Sequence, residues 1–156
     1  LFHSTLGQAR NKMTDKIVKL LRLHEGVKSH AYKCTANKIT VGVGRNIDPE
    51  GGLGLSDDEI DYLLTNDVNR VIKELGKAFP WFSSLDEARR DAMIDICFNL
   101  GMPRLKGFAK ALSAMASEDY ETAAYEFSDS AWYKQVGKRA QTIVDMIRFG
   151  KYPQLP

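Results

Sequence analysis

The hydrophobic period of this chain changes sharply at Gly26, and that change limits the folds open to it. Before Gly26 the pattern is helical. Thr14 reads as an N-cap with Asp15 in the favoured first turn, and Ile17, Val18, Leu20, Leu21 and Leu23 form a stripe expected to be buried. Gly26 is a C-terminal stop, so Glu25 falls at the end of the helix, where the dipole disfavours a carboxylate unless a cation compensates. After Gly26 the chain turns to short strands. Thr35-Ala36-Asn37-Lys38 is a turn in which Asn37 tolerates positive φ, and Ile39-Thr40-Val41 is β-branched throughout. Gly42-Val43-Gly44 ends the strand. The rest of a phosphate-loop fingerprint is missing, so this Gly-x-Gly is read as close backbone packing beside a cleft.

Beyond the Asp48–Gly54 loop the helical period returns and stays. Ser56 and Glu59 form a capping box ahead of Ile60, Leu63, Leu64, Val68, Val71, Ile72 and Leu75, a stripe of about five turns closed by Gly76 and Pro80. Ser84 and Glu87 read as a second box ahead of Leu85, Ala88, Ala92, Met93, Ile96, Cys97 and Leu100, with Gly101 and Pro103 as the stop. Shorter helices are expected over Phe108–Met115 and Tyr120–Phe127, and a basic one over Lys138–Phe149.

The fold class that follows is α+β: a small sheet beside the first helix, then a helical half. The long helix between a strand-rich part and a helical part is expected to connect two lobes. The boundaries drawn are residues 1–12 as a tail, linker or remnant of a longer chain, 13–56 as the small lobe, 57–79 as the connecting helix and 80–156 as the helical lobe, with 13–156 one domain.

At 156 residues, 44% hydrophobic and 27% charged, the chain has enough apolar material for one packed domain and does not read as disordered. A formal charge of +2 is too mild to argue for nucleic acid but suits an anionic polymer such as a bacterial wall. Its apolar runs fall short of the ~20 residues that span a bilayer, so no stable membrane insertion is expected. Leu1-Phe2-His3-Ser4-Thr5-Leu6 lacks the pattern of a signal peptide or signal-anchor. Cys34 and Cys97 are expected to be free thiols made in a reducing compartment, the alternative being one bridge between them.

Three side chains around Gly26 can do chemistry together. Eight residues separate Glu25 from Cys34, and five separate Cys34 from Thr40. Glycoside hydrolysis needs a proton donor for the leaving oxygen and a second group that activates water or attacks the anomeric carbon. Glu25, partly buried, suits the first task. Cys34 suits the second as base or nucleophile, with Thr40 holding the water. Each residue also has an ordinary reading: a solvated surface charge, a small buried hydrophobe, and a strand former.

The order Leu23-His24-Glu25-Gly26, Ala31-Tyr32-Lys33-Cys34, Ile39-Thr40-Val41-Gly42-Val43-Gly44 resembles the phage-type lysozymes of glycoside hydrolase family 24. That family carries Glu, eight residues, Asp or Cys, five residues, Thr. The likeness continues through Leu85-Asp86-Glu87-Ala88-Arg89-Arg90, Cys97-Phe98-Asn99-Leu100-Gly101, Gly107-Phe108, Trp132-Tyr133 and Arg139-Ala140, over about residues 13 to 152.

The resemblance implies a two-lobed lysozyme-like fold. It makes Glu25 the general acid, Cys34 the second catalytic position and Thr40 the residue that positions the water or sugar. It places Asn99, with Phe98 and Arg45, at the substrate, and gives Arg139 the role of pairing with Glu25. Trp132 and Tyr133 are read as core, with cleft wall as the alternative. Cys34 stands where Asp is commoner, so attack by the thiolate with retention and base-activated water with inversion both stay open. Arg45 stands where a His occurs in T-even members, and His24 and Thr142 do not reproduce the Asp–Arg pair those members carry. No cofactor and no metal are implied; His24-Glu25 and His30 have the wrong spacing for a zinc helix. The basic residues Lys134, Lys138, Arg139, Arg148 and Lys151 read as a solvated helix face, with attraction to wall polyanions as the functional option.

The expected activity is hydrolysis of the β-1,4 bond between N-acetylmuramic acid and N-acetylglucosamine by a phage endolysin. Such a protein would be monomeric, held in the host cytoplasm and released to the wall by a membrane-permeabilising partner. The rivals are a virion-associated wall-cutting module, a lytic transglycosylase, a non-catalytic wall-binding relative, and a plain helical interaction domain in which the spacing match is accidental.

Overall fold

A computed structural model of the chain describes residues 12–155. The expectations for the N-terminal tail lie outside the described residues, except that Lys12 already belongs to α1. The order is α1 (Lys12–Glu25), β1 (Lys28–Lys33), β2 (Ile39–Gly42), β3 (Arg45–Asn46), α2 (Asp57–Ala78), α3 (Glu87–Leu100), α4 (Met102–Leu105), α5 (Ala109–Ala116), α6 (Tyr120–Ser128), α7 (Ala131–Val136) and α8 (Lys138–Phe149). This is an α+β fold, with a three-stranded antiparallel sheet followed by helices. The chain divides into two compact units, one ending at Ile60 and one beginning at Asp61.

In the first unit, α1 starts two residues before the expected cap, so Thr14 lies inside the helix. Its end is as read: the Gly26 amide donates to Arg22 O at 3.1 Å, and Gly26 has φ +75°. The sheet order is β1-β2-β3, with Tyr32 opposite Thr40 and Thr40 opposite Asn46. The α1 stripe departs from expectation: Ile17, Val18, Leu20, Leu21 and Leu23 are 44% to 78% exposed. The sheet of this unit is small. Its strands are six, four and two residues long, and Thr40 is the one buried side chain among the described residues of this unit.

Ser56 and Glu59 form the expected box at the start of α2. Ser56 Oγ accepts from the Glu59 amide at 3.4 Å and donates to Glu59 Oε1 at 2.8 Å. The α2 stripe is buried only in its last turns, at Val71 and Leu75; Ile60, Leu63 and Leu64 are about half exposed.

The second unit holds the hydrophobic core. Ala92, Met93, Ile96 and Cys97 of α3 pack with Leu105, Ala111, Met115, Ala123, Phe127, Ala140, Val144 and Ile147. The cap of α3 is a correction: Asp86, not Ser84, occupies it, accepting from the Arg89 amide at 3.0 Å, because Ser84 is taken up in a 3-10 turn over Phe82–Ser84. Two short helices escape the sequence reading. Pro103, taken as a stop, sits in the first turn of α4, where its missing N–H costs nothing. Ser130 caps α7, accepting from the Tyr133 amide at 3.2 Å.

Arg89 ties α3 to the end of α8. Its Nε donates to Ile147 O at 2.6 Å, Nη2 to Arg148 O at 3.1 Å and Nη1 to Asp86 Oδ2 at 2.9 Å, and the guanidinium lies 3.7 Å from the centre of the Tyr120 ring. These carbonyls are among the last of a helix and lack helical partners. Charged hydrogen bonds to otherwise unpaired groups each contribute well above the neutral average, so Arg89→Ala is expected to destabilise the fold by about 2–3 kcal/mol. Urea unfolding measures this; a loss under half a kilocalorie would show the tie to be incidental.

Candidate active site

Cys34 opens the hairpin turn between β1 and β2. Its carbonyl accepts from the Asn37 amide at 2.8 Å, its amide donates to Lys38 O at 3.0 Å, and Asn37 takes φ +59°. A tight turn closed by a left-handed residue is a standard way to join two short strands, and Asn tolerates that conformation. The turn leaves backbone amides near the side chain of its first residue. The Lys38 amide first, then the Ala36 amide and the Thr40 hydroxyl, hold the Cys34 thiol below its ordinary value. Burial, chiefly, pushes the Cys97 thiol up. Both thiols are free, Cys34 half-buried and Cys97 buried.

Thr40, 3% exposed, sits one strand position away from this turn in β2, and its Oγ1 donates to Lys38 O at 3.0 Å. With its proton directed there, the oxygen can accept from the thiol; turned, the same hydroxyl donates to the thiolate. The fold therefore brings Cys34 and Thr40 together. The strand-former reading of Thr40 explains its place in β2 but not its position as the buried polar residue beside a thiol.

Glu25 ends α1 and is exposed, not partly buried as expected. The small unit supplies no deep surface to cover it. Its carboxylate instead rests against backbone: a Cβ built on Gly44, φ +72°, would stand 3.3 Å from Glu25 Oε2. The close packing read from Gly42-Val43-Gly44 is this approach, which an L side chain at position 44 would disturb.

The remaining candidates have partners of their own. Arg45 Nη1 lies 2.6 Å from Glu59 Oε2 and donates to Gly54 O at 3.1 Å. The guanidinium, with help from Ser56, holds the Glu59 carboxyl below its usual range. Arg45 thus fastens the loop after β3 to the start of α2. In the second unit, Asn99 Oδ1 accepts from Trp132 Nε1 at 2.9 Å, Phe98 is 45% exposed, and Arg139 Nε meets Asp95 Oδ1 at 3.0 Å. Phe98, Asp95 and Arg139 line a groove of about 550 Å³ with Leu64, Val68 and Ile94. Trp132 is core, as read. Asp95 was missed; an acid four positions before Asn99 carries no signal of its own. Among the described residues, no group of three or more His, Cys, Asp and Glu side chains is placed to hold a metal ion.

The sequence profile of the phage lysozyme family matches residues 22–146. The chain belongs to the phage lysozyme family. It is accordingly a glycoside hydrolase that degrades peptidoglycan. A probable T4-type lysozyme of Dictyostelium discoideum is 24% identical over 88% of this chain and 96% of its own length. An endolysin of Acyrthosiphon pisum secondary endosymbiont phage 1 is 26% identical over 81% of this chain and 85% of its own. The pre-baseplate central spike protein Gp5 of Enterobacteria phage T4 is 26% identical over 86% of this chain but only 28% of its own length. The family match takes in the end of α1, the sheet and most of the helical unit, so every candidate residue lies inside it. No described helix is long and apolar enough to cross a membrane.

The thiol geometry makes a direct prediction for this lysozyme-family chain. At neutral pH and limiting iodoacetamide, mass spectrometry should find one label per native molecule, on Cys34, and two after denaturation. The thiolate is the reactive form, and Cys34 alone has the lowered value and the access. Equal labelling of Cys97 in the native protein would contradict the assignment.

Proposed function

We propose that the chain is a muramidase-type endolysin of a bacteriophage or prophage, cleaving the β-1,4 bond between N-acetylmuramic acid and N-acetylglucosamine. The observation that carries this reading is the small unit itself. Glu25 is held at the end of α1 against Gly44, and the Thr40 hydroxyl reaches the Cys34 thiol at the turn of a hairpin in the same unit. Glu25 donates the proton to the leaving oxygen. Cys34, as thiolate, takes the second role, and Thr40 steadies the water or sugar beside it. Asn99 and Phe98 contact the saccharide. Arg139, which meets Asp95 in the helical unit, is the cation that the family resemblance assigns to the acid. Arg45 acts through the loop it anchors. In this reading the enzyme accumulates in the host cytoplasm and reaches the wall after a separate factor opens the membrane.

Product analysis tests the reading. Digestion of purified wall is expected to release reducing ends on N-acetylmuramic acid; 1,6-anhydro ends would replace hydrolysis by lytic transglycosylation, and binding without either product would leave a non-catalytic wall-binding domain. The likeness to a segment of a much longer spike protein favours one second reading, a wall-cutting module of the virion. Finding the chain in purified particles rather than in the lysate alone would support that one.

A further inference from the structure

We propose that Trp132 is a positioning residue: its indole fixes the Asn99 carboxamide so that both amide N–H donors face the saccharide. The inference rests on the reading of Asn99 as a substrate-binding amide. Ser130 sets the first turn of α7, its Oγ donating to Phe127 O at 2.6 Å and accepting from the Tyr133 amide. Trp132 follows, 4% exposed, edge-on to Phe108 and Phe127 at 6.4 Å from each. A ring packed this way has little freedom, and its buried N–H needs an acceptor. Asn99 Oδ1 supplies it at 2.9 Å.

The consequence concerns the other end of the amide. An indole only donates, so the Asn oxygen must face it and the nitrogen must face away. Asn99 is exposed on the last turn of α3, and among the described residues its Nδ2 has no acceptor. Two donors in a fixed direction suit a carbonyl oxygen, and the sugars of murein carry acetamido carbonyls on every ring. Without the indole the amide is free to turn, and half of its orientations set oxygen against oxygen. The competing account makes Asn99 no more than the acceptor that a buried indole requires. The two accounts differ in what happens when substrate is present.

The test is a cycle of Trp132→Phe, Asn99→Ala and the double variant, with KM and kcat on solubilised murein. Trp132→Phe is expected to raise KM about fivefold, the worth of one neutral hydrogen bond, with kcat within about twofold. In the Asn99→Ala background the same change should leave KM unmoved. An equal rise in both backgrounds would mean that Trp132 acts through packing, and would overturn the proposal. Should Trp132→Phe fail to fold, Asn99→Asp keeps the indole's acceptor and removes the donors; an unchanged KM there would overturn it equally. A readout independent of turnover is the titration of the nitrogen-15-labelled wild-type protein with a β-1,4-linked N-acetylglucosamine oligomer. The Asn99 side-chain amide and Trp132 indole signals should shift together, and a silent pair at saturation would end the proposal. Shifts in a protein that releases no reducing ends would sink the hydrolase reading and keep this one.

Discussion

Glu25→Gln is expected to lower kcat on purified wall by about 10²–10⁴-fold, the usual cost of removing a general acid, with thermal stability kept or slightly raised. The amide matches the carboxyl in shape but has no proton to give a leaving oxygen. Stability moves the other way for a reason visible in α1. Glu25 is exposed on the last residue of the helix, where the dipole places partial negative charge. Neutralising it there removes an unfavourable interaction worth a few tenths of a kcal/mol, and exposed substitutions seldom cost more than half a kcal/mol. The two readouts therefore separate: turnover collapses while the melting temperature stays or climbs. Turbidity clearance and calorimetry on one preparation would show both. A variant that clears wall at the wild-type rate would remove Glu25 from the acid role.

Much of this arrangement was legible before any coordinates. The change of period at Gly26 placed Glu25 at a helix end, and the turn chemistry of Asn37 placed Cys34 at the mouth of a hairpin with Thr40 following in the next strand. These are local matters, settled within a few residues by φ preference and β-branching. The misses are of another kind. The burial of α1 was inferred from its stripe alone, yet burial depends on what a partner offers, and a stripe does not name its partner. Ser84 and Asp86 are both good caps ahead of the same helix, and only the 3-10 turn at Phe82–Ser84 decides between them. The pairs Arg45–Glu59, Arg139–Asp95 and Trp132–Asn99 join positions 14, 44 and 33 residues apart. No period or motif marks such pairs, so the sequence supplied the residues and the structure supplied their partners.

Replacing Cys34 tests the other half of the chemistry. Cys34→Ala is expected to cost about 10²–10⁴-fold in kcat, the range for a lost base or nucleophile, whereas Cys34→Asp should retain activity with a changed pH profile. The sign follows from the turn. A group that works as an anion loses activity as pH falls through its value. On the proposed reading that group is the Cys34 thiol, lowered by the Lys38 and Ala36 amides and by Thr40. An aspartate starts from about 3.9 rather than about 8.5, and the same amides would favour its anion too. The acid limb of kcat against pH should therefore move to lower pH in Cys34→Asp by several units, up to the point where another group takes over. An acid limb that stays in place would show that position 34 is not the titrating group, and full turnover in Cys34→Ala would leave the water to Thr40 alone. The anomer of the first product completes the argument. Attack by Cys34 gives retention through a bond from sulfur to the anomeric carbon, so iodoacetamide at Cys34 and a trapped glycosyl-enzyme should then compete for the same atom. Inversion requires only that the thiolate accept a proton from water, and then Cys34→Asp keeps the stereochemistry while changing the pH at which it runs.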